Sequence, residues 1–416
     1  MPTSTKPNKH AETSPHYAGW RAVLACFLVA LFIWGFGFYG NAVYVVELQR
    51  LRGWSASSIS VAITLTFLLS SIVATFTHEF VTRFGSKRLV LFGTAALAAS
   101  TTLLAFATLQ WQLYVAFVLM SFGWNGMGVV AIATVVNSWF VHRRGLAISI
   151  AFTGSSCGGV VVAPLLLLLV QKIGFTAAML TMTAIMVVVL VPVVVVWVGP
   201  LEPISILPEL KTPDEQDNTS RATIVRRLAF WTIAVPFALG LTAQIGFIVH
   251  QIALLEPKIG LTGAGLAVTI MTSMAIIGRL CLGVVADRLD PRLVAAASLV
   301  SQAAALLTIS GTKETSVVFV ACGIFGLSIG NLITLPPMII HREFEATAFT
   351  MVLGLHIAVS GIVSALGPGL LGLVRGWSGG YTFALTLCIM LELAAAVIVV
   401  IGCDRRHEDD RRAARG

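Results

Sequence analysis

The 416-residue sequence predicts an all-α integral membrane fold, with twelve transmembrane helices in two pseudo-symmetric six-helix halves. Three observations carry that prediction. The chain is 57% hydrophobic and 11% charged, with a mean hydropathy of +0.91, so it holds far more apolar side chains than a soluble core of this length would bury. The apolar residues come in runs long enough to cross a bilayer core of about 30 Å. These runs lack the alternation of barrel strands, which leaves helices as the way to satisfy the backbone in lipid. Finally, the two sets of runs echo each other. Gly53-Trp-Ser before the second run matches Gly260-Leu-Thr before the eighth, Arg83 matches Arg288 and Pro164 matches Pro368, at offsets of 207, 205 and 204 residues.

In chain order, residues 1–20 are polar, with no short apolar core or small-residue cleavage site, and read as a retained cytoplasmic segment rather than a signal peptide. The first half, 21–199, carries runs at about 21–46, 57–80, 87–108, 112–137, 145–170 and 175–199. Residues 200–228 are proline-containing and charged, as expected of a cytoplasmic linker. The second half, 229–402, carries runs at about 229–254, 264–286, 292–310, 315–340, 347–373 and 378–402, followed by the tail 403–416. With the N-terminus cytoplasmic, 20 of the 27 Lys and Arg fall inside and six outside (Arg50, Arg52, Lys172, Lys258, Lys313 and Arg375). Both termini are therefore expected in the cytoplasm, with the chain in the plasma membrane.

Several function classes are disfavoured. The net charge of +8 comes as short clusters between apolar runs, not as a stripe on a soluble domain, so nucleic acid is not the expected partner. The six cysteines include no C-x-x-C pair, and neither a metal nor a cofactor is expected. GWNGMG (123–128) and GSSCGG (154–159) superficially look like phosphate loops, but neither follows a strand, and small residues here fit close helix approach instead. Pro164 and Gly367-Pro368 fit helix bends. No cluster of acids, histidines or a nucleophile suggests an enzyme, and no ATP site is visible.

GRLCLGVVADRLDPR (278–292), with TRFGSKR (82–88) as a weaker copy, resembles the loop signature of the major facilitator superfamily. Residues 18–48 followed by RGWSASSIS, then NSWFVHRRGLAISIAFTGSSCGG and FGLSIGNLITLPPMI, look like the branch of monocarboxylate transporters and oxalate:formate antiporters. That resemblance, spanning about Gly19 to Gly402, implies the superfamily fold and secondary active transport by alternating access. The implied cargo is a small monocarboxylate or related organic anion, coupled to a proton or a counter-anion. The chain departs from animal monocarboxylate transporters at Asn41, where they carry a lysine, and at Ala275, where they carry an aspartate. Thr82 replaces the loop acid that Asp287 retains in the second half.

Arg279 lies eight residues before Asp287, about 12 Å inside the boundary, and matches the arginine that holds the substrate carboxylate in the family. A guanidinium offers a permanent charge and a planar fork to a carboxylate; the competing reading is a snorkelling or gate-bracing arginine. His356 falls at a similar depth in the eleventh run, as an anion-binding proton switch or a neutral interhelical histidine. Asn41, Asn125, Gln244 and Asn331 are polar residues within runs, either lining a cavity or bonding a neighbouring helix. Arg83, Asp287 and Arg288 are the expected gating residues. His250 is expected at an interface rather than in a gate, and Glu47, His78 and Glu79 as solvated boundary residues. The chain is expected to function as a monomer in the bilayer; export of a neutral or drug-like compound is the rival transport reading.

Overall fold

The computed structural model describes residues 12, 14, 17–74, 77–140, 143–198, 221–285, 289–345 and 348–413. Every regular element among them is a helix. The crossing segments are α1 (Gly19–Arg52), α2 (Ala56–Ala74), α3 (Ser86–Phe106), α4 (Gln110–Val136), α5 (Leu146–Ile173) and α6 (Phe175–Trp197). They continue with α7 and α8 inside Leu228–Val285, then α9 (Pro291–Gly311), α10 (Thr315–Glu343), α11 (Met351–Ser378) and α12 (Thr382–Gly402). Eleven helices of the described residues are long and apolar enough to span a membrane. One of them contains two crossings. Leu228–Val285 is 58 residues long, roughly 87 Å if straight, and it breaks at Gly260 (φ 73°, ψ 166°) into α7 (228–259) and α8 (261–285). The chain is therefore a multi-pass integral membrane protein.

The sequence-based gap between the seventh and eighth runs, residues 255–263, is thus helical on both sides of a single glycine. Lys258 explains the persistence of α7. Its ammonium donates to the carbonyls of Ile309, Ser310 and Thr312 at the end of α9, so a charged residue that suggested a loop instead anchors a helix end. The internal echo extends to backbone geometry. Gly53 (φ 66°) and Gly260 both adopt the left-handed region, as do Gly174 (φ 80°) and Gly379 (φ 73°), 205 residues apart. A side chain would be strained at these sharp reversals.

By packing, the chain forms two compact units: residues 1–43 with 69–210, and residues 44–68 with 211–416. In the first unit α1 packs on α5, and α3 on α4 and α6. Ser100 Oγ donates to Ala116 O across α3–α4 (2.7 Å), and Thr183 Oγ1 to Thr101 Oγ1 across α6–α3 (2.8 Å). Two π-helical segments, Gly35–Tyr39 in α1 and Gly158–Val162 in α5, meet where Gly35 and Gly158 let the backbones touch. A Cβ at Gly158 would stand 2.7 Å from Gly35 N, so GSSCGG serves close approach as its composition suggested.

In the second unit α7 is central, packed on α10, α11 and α12, with α9 against α10 and α12. Phe230, Phe237, Leu299, Leu335, Ile339 and Val399 form the heart of its apolar core. Arg292 at the start of α9 is a surprise. Expected among the loop cations, it is buried and forked onto Glu343 of α10 (2.5 and 2.7 Å). Its Nη1 also donates to Thr232 O (3.2 Å) and Val399 O (3.1 Å). Pro236 supplies the reason: it has no N–H to bond the carbonyl four residues earlier, and Arg292 takes that carbonyl.

Candidate functional site

Two places in the second unit gather polar chemistry. The first is Arg279 on α8, half-buried within a membrane span. Gly278 lets the α8 backbone approach Leu327 of α10, and Gly330 leaves room for the arginine stem, since a Cβ there would lie 3.3 Å from Arg279 Cβ. Among the described residues Arg279 has no hydrogen-bond or ion-pair partner. A permanent cation at this depth without a counter-charge is costly unless it faces water or an anion.

His356 on α11 is buried with its ring edge-on to Phe237 of α7, centroids 5.9 Å apart, and its Nδ1 has no partner. No contact joins it to Arg279: one leans on α10 and the other on α7. Gln302 Nε2 on α9 donates to Gln244 Oε1 on α7 (3.1 Å), and Asn331 Nδ2 on α10 to Ser298 Oγ on α9 (2.9 Å). In the first unit, Asn41 Nδ2 donates to Gly37 O (2.9 Å), taking a carbonyl inside the π segment, and Asn125 Nδ2 to Ser121 O (2.9 Å). Arg83 is exposed, with its guanidinium 5.5 Å from the Phe84 ring centroid. Asp287 and Arg288 lie outside the described residues, as do the side chains of His78 and Glu79.

The second place lies at the Gly260 end of the unit, around His250. Expected at a wet interface, His250 is fully buried. Its Nε2 is 3.0 Å from Ser60 Oγ on α2 and 3.2 Å from Pro368 O on α11, while Nδ1 is 3.1 Å from the Tyr381 hydroxyl. The network fixes the tautomer. Ser60 donates its own proton to Ala56 O (2.6 Å), so Ser60 Oγ and Pro368 O accept from Nε2–H, and Nδ1 accepts from Tyr381. Burial pushes the Tyr381 phenol up to about 12 against the opposing pull of Arg375, so it remains a donor at neutral pH.

Further ties surround that hub. Gly369 N donates to Thr64 Oγ1 (2.8 Å), Ser57 Oγ to Gly372 O (2.8 Å), and Arg375 to Gln49 Oε1 (2.7 Å) while its guanidinium lies 4.9 Å from the Tyr381 ring centroid. Arg50 bridges Glu47 (3.1 Å) and Glu256. Glu47, expected in solvent, is buried because this bridge holds it. Pairwise contacts of this kind clamp the ends of α1 and α2 onto α7 and α11.

Sequence reasoning missed three features. Arg292 read as an ordinary boundary cation, because nothing local announces that Pro236 frees a carbonyl beside it. A half-buried aromatic group, Trp34 with Trp124 (5.0 Å) and Phe152 (6.1 Å), lies beside the α1 π segment, and three scattered positions carry no shared pattern. Glu392, a fully buried acid in α12, did carry a signal: an acid within MLELAAAV is as anomalous as Arg279.

Among the described residues, eleven membrane-spanning helices, one of them kinked into two crossings at Gly260, and recurring turn glycines describe a multi-pass membrane protein with an internal echo. The chain belongs to the Major Facilitator Superfamily, whose family model matches residues 22–368. It is similar to Monocarboxylate transporter 11 of Homo sapiens, 27% identical over 341 residues that cover 77% of this chain and 69% of that protein. It is 28% identical over 145 residues to Uncharacterized transporter ESBP6 of Saccharomyces cerevisiae, a match to 34% of this chain and 22% of that protein's length. The fold is similar to the crystal structure of a bacterial homologue of the human lysosomal transporter Spinster, in an inward-facing and occupied conformation. That likeness has a TM-score of 0.67 at 14% identity, covering 94% of this chain and 96% of the other.

Proposed function

We propose that this chain is a secondary active transporter that moves a small monocarboxylate or related organic anion by alternating access, coupled to a proton or a counter-anion. The observation that carries this reading is the unpaired Arg279 within a membrane span. In a low-dielectric site a guanidinium gains most from a carboxylate that matches its fork. The name of the human relative, Monocarboxylate transporter 11, supports the same cargo class. Arg279 binds the carboxylate in this reading, with His356, Asn41, Asn125, Gln244 and Asn331 as further substrate contacts and Arg83, Asp287 and Arg288 as gating residues. The protein acts as a monomer in the plasma membrane with both termini cytoplasmic, in line with the excess of Lys and Arg on that side.

The half-buried Trp34, Trp124 and Phe152 favour a second reading, in which the cargo is a neutral or drug-like compound leaving the cell. Counterflow in proteoliposomes with a panel of labelled organic acids and their amides separates the two. Exchange of acids but not amides supports the anion transporter; exchange of amides as fast as acids supports the exporter.

A further inference from the structure

Glu392 sits on the buried stripe of α12 with Cys388, Ala395, Ala396 and Val399. It is 0% exposed, and neither carboxyl oxygen has an accepting role filled by any donor among the described residues. A carboxylate stripped of water with no donor and no counter-charge is among the most expensive arrangements a protein interior can hold. Carrying a proton would remove that cost.

The neighbouring helices supply one candidate acceptor for that proton. Arg292 of α9 reaches Val399 O of α12, and Cys388 Sγ of α12 lies 3.8 Å from Ala243 O of α7, so α9 and α7 both pack against α12. Seven residues from Val399 along α12 is Glu392; ten from Arg292 along α9 is Gln302. Counted from that contact, Glu392 lies roughly 10 Å along α12 and Gln302 roughly 15 Å along α9, which sets the two at comparable depth. Gln302 is fully buried, its Nε2 engaged by Gln244, and its Oε1 has no donor. An acid in need of an acceptor for its proton and an amide oxygen in need of a donor are thus buried at similar depth on the packed helices α12 and α9.

Of the charged and titratable groups on the packed elements, His356 on α11 lies edge-on to Phe237 of α7, and the others are engaged elsewhere. Cys388 is one turn away on α12, and Arg292 on α9 is committed to Glu343. His250 on α7 is held by three hydrogen-bond contacts, Glu256 is paired with Arg50, and Lys258 caps α9. Arg279 on α8 leans on α10, and Arg375 on α11 is bound to Gln49. None forms an ion pair with Glu392.

We propose that Glu392 is a proton-binding site of the transport cycle, occupied in this conformation by a proton shared with the α7–α9 glutamine pair and emptied when α12 shifts against α7 and α9. This rests on the secondary-transport reading above and names the proton as its coupling ion. The site makes a hydrogen ion, rather than sodium, the ligand: two glutamine oxygens at most and one carboxyl are too few oxygens for a dry metal site.

Purified protein in proteoliposomes tests it in three parts. Infrared spectra of wild type at neutral pH should show a protonated-carboxyl C=O band that disappears in Glu392→Gln, a variant that mimics the neutral acid and is expected to fold. Tryptophan fluorescence should shift with pH in wild type and in Glu392→Asp, and stay flat in Glu392→Gln. With labelled L-lactate as probe, a one-unit pH gradient should drive about tenfold accumulation in wild type and none in Glu392→Gln, while equilibrium exchange of the label persists. A band unchanged by Glu392→Gln, fluorescence that is flat in wild type or still pH-dependent in Glu392→Gln, or sodium-driven uptake overturns the proposal. Absence of lactate exchange in wild type with the first two results intact overturns the lactate-type cargo and leaves the proton site standing.

Discussion

The Nδ1 of His250 lies 3.1 Å from the hydroxyl of Tyr381, and this bond closes a chain of contacts from α2 through α7 to the α11–α12 turn. A histidine in such a position works as a fixed neutral connector, donating through one nitrogen and accepting through the other. Replacing it with Ala leaves the Tyr381 hydroxyl and the Pro368 carbonyl unsatisfied, which should cost about 1–3 kcal/mol. Tyr381→Phe removes one bond and should cost about 1 kcal/mol. Thermal unfolding in detergent checks the order: both variants should melt lower than wild type, His250→Ala lower than Tyr381→Phe. Equal melting temperatures for His250→Ala and wild type would remove His250 from the hub.

The Arg292–Glu343 pair predicts a sharp asymmetry between single and double substitutions. Glu343→Gln leaves a buried guanidinium with only neutral partners and should destabilise by about 3–5 kcal/mol. Arg292→Met combined with Glu343→Leu removes both charges and should recover most of that loss. A double-mutant cycle on unfolding free energy reads the coupling, and additive effects would show that the pair contributes nothing beyond its separate members.

Backbone contact between the two π segments gives a test in the first unit. Gly158→Ala drives a methyl into Gly35 and should destabilise by about 1–3 kcal/mol. Gly354→Ala in α11 meets nothing within 4 Å and should be neutral or stabilise by about 0.5–1 kcal/mol. Matched melting curves decide whether close approach or helix propensity governs these glycines.

Much of the fold was legible because membrane topology is written locally. Twenty apolar residues in a row announce a helix whatever surrounds them, and Gly53 and Gly260 announce reversals because only glycine takes their φ without strain. The α7–α8 junction was not legible, since the residues that extend α7 past Pro257 act through carbonyls at the far end of α9. Arg279 stood out as a charge in an apolar run. Glu392 offered the same signal, yet its burial depends on which face α12 turns inward. His250 looked interfacial by position along α7, and only tertiary packing places Ser60, Pro368 and Tyr381 around it.

The central claim is that Arg279 holds a carboxylate, and equilibrium binding to purified, folded variants tests it most directly. Arg279→Lys keeps the charge and loses the fork, so it should bind a labelled organic acid more weakly than wild type. Arg279→Gln should lose about 2–4 kcal/mol, or roughly 30- to 1000-fold, for the acid while leaving its uncharged amide unaffected. Binding of the acid by Arg279→Gln as tight as wild type would contradict the account and favour a neutral cargo.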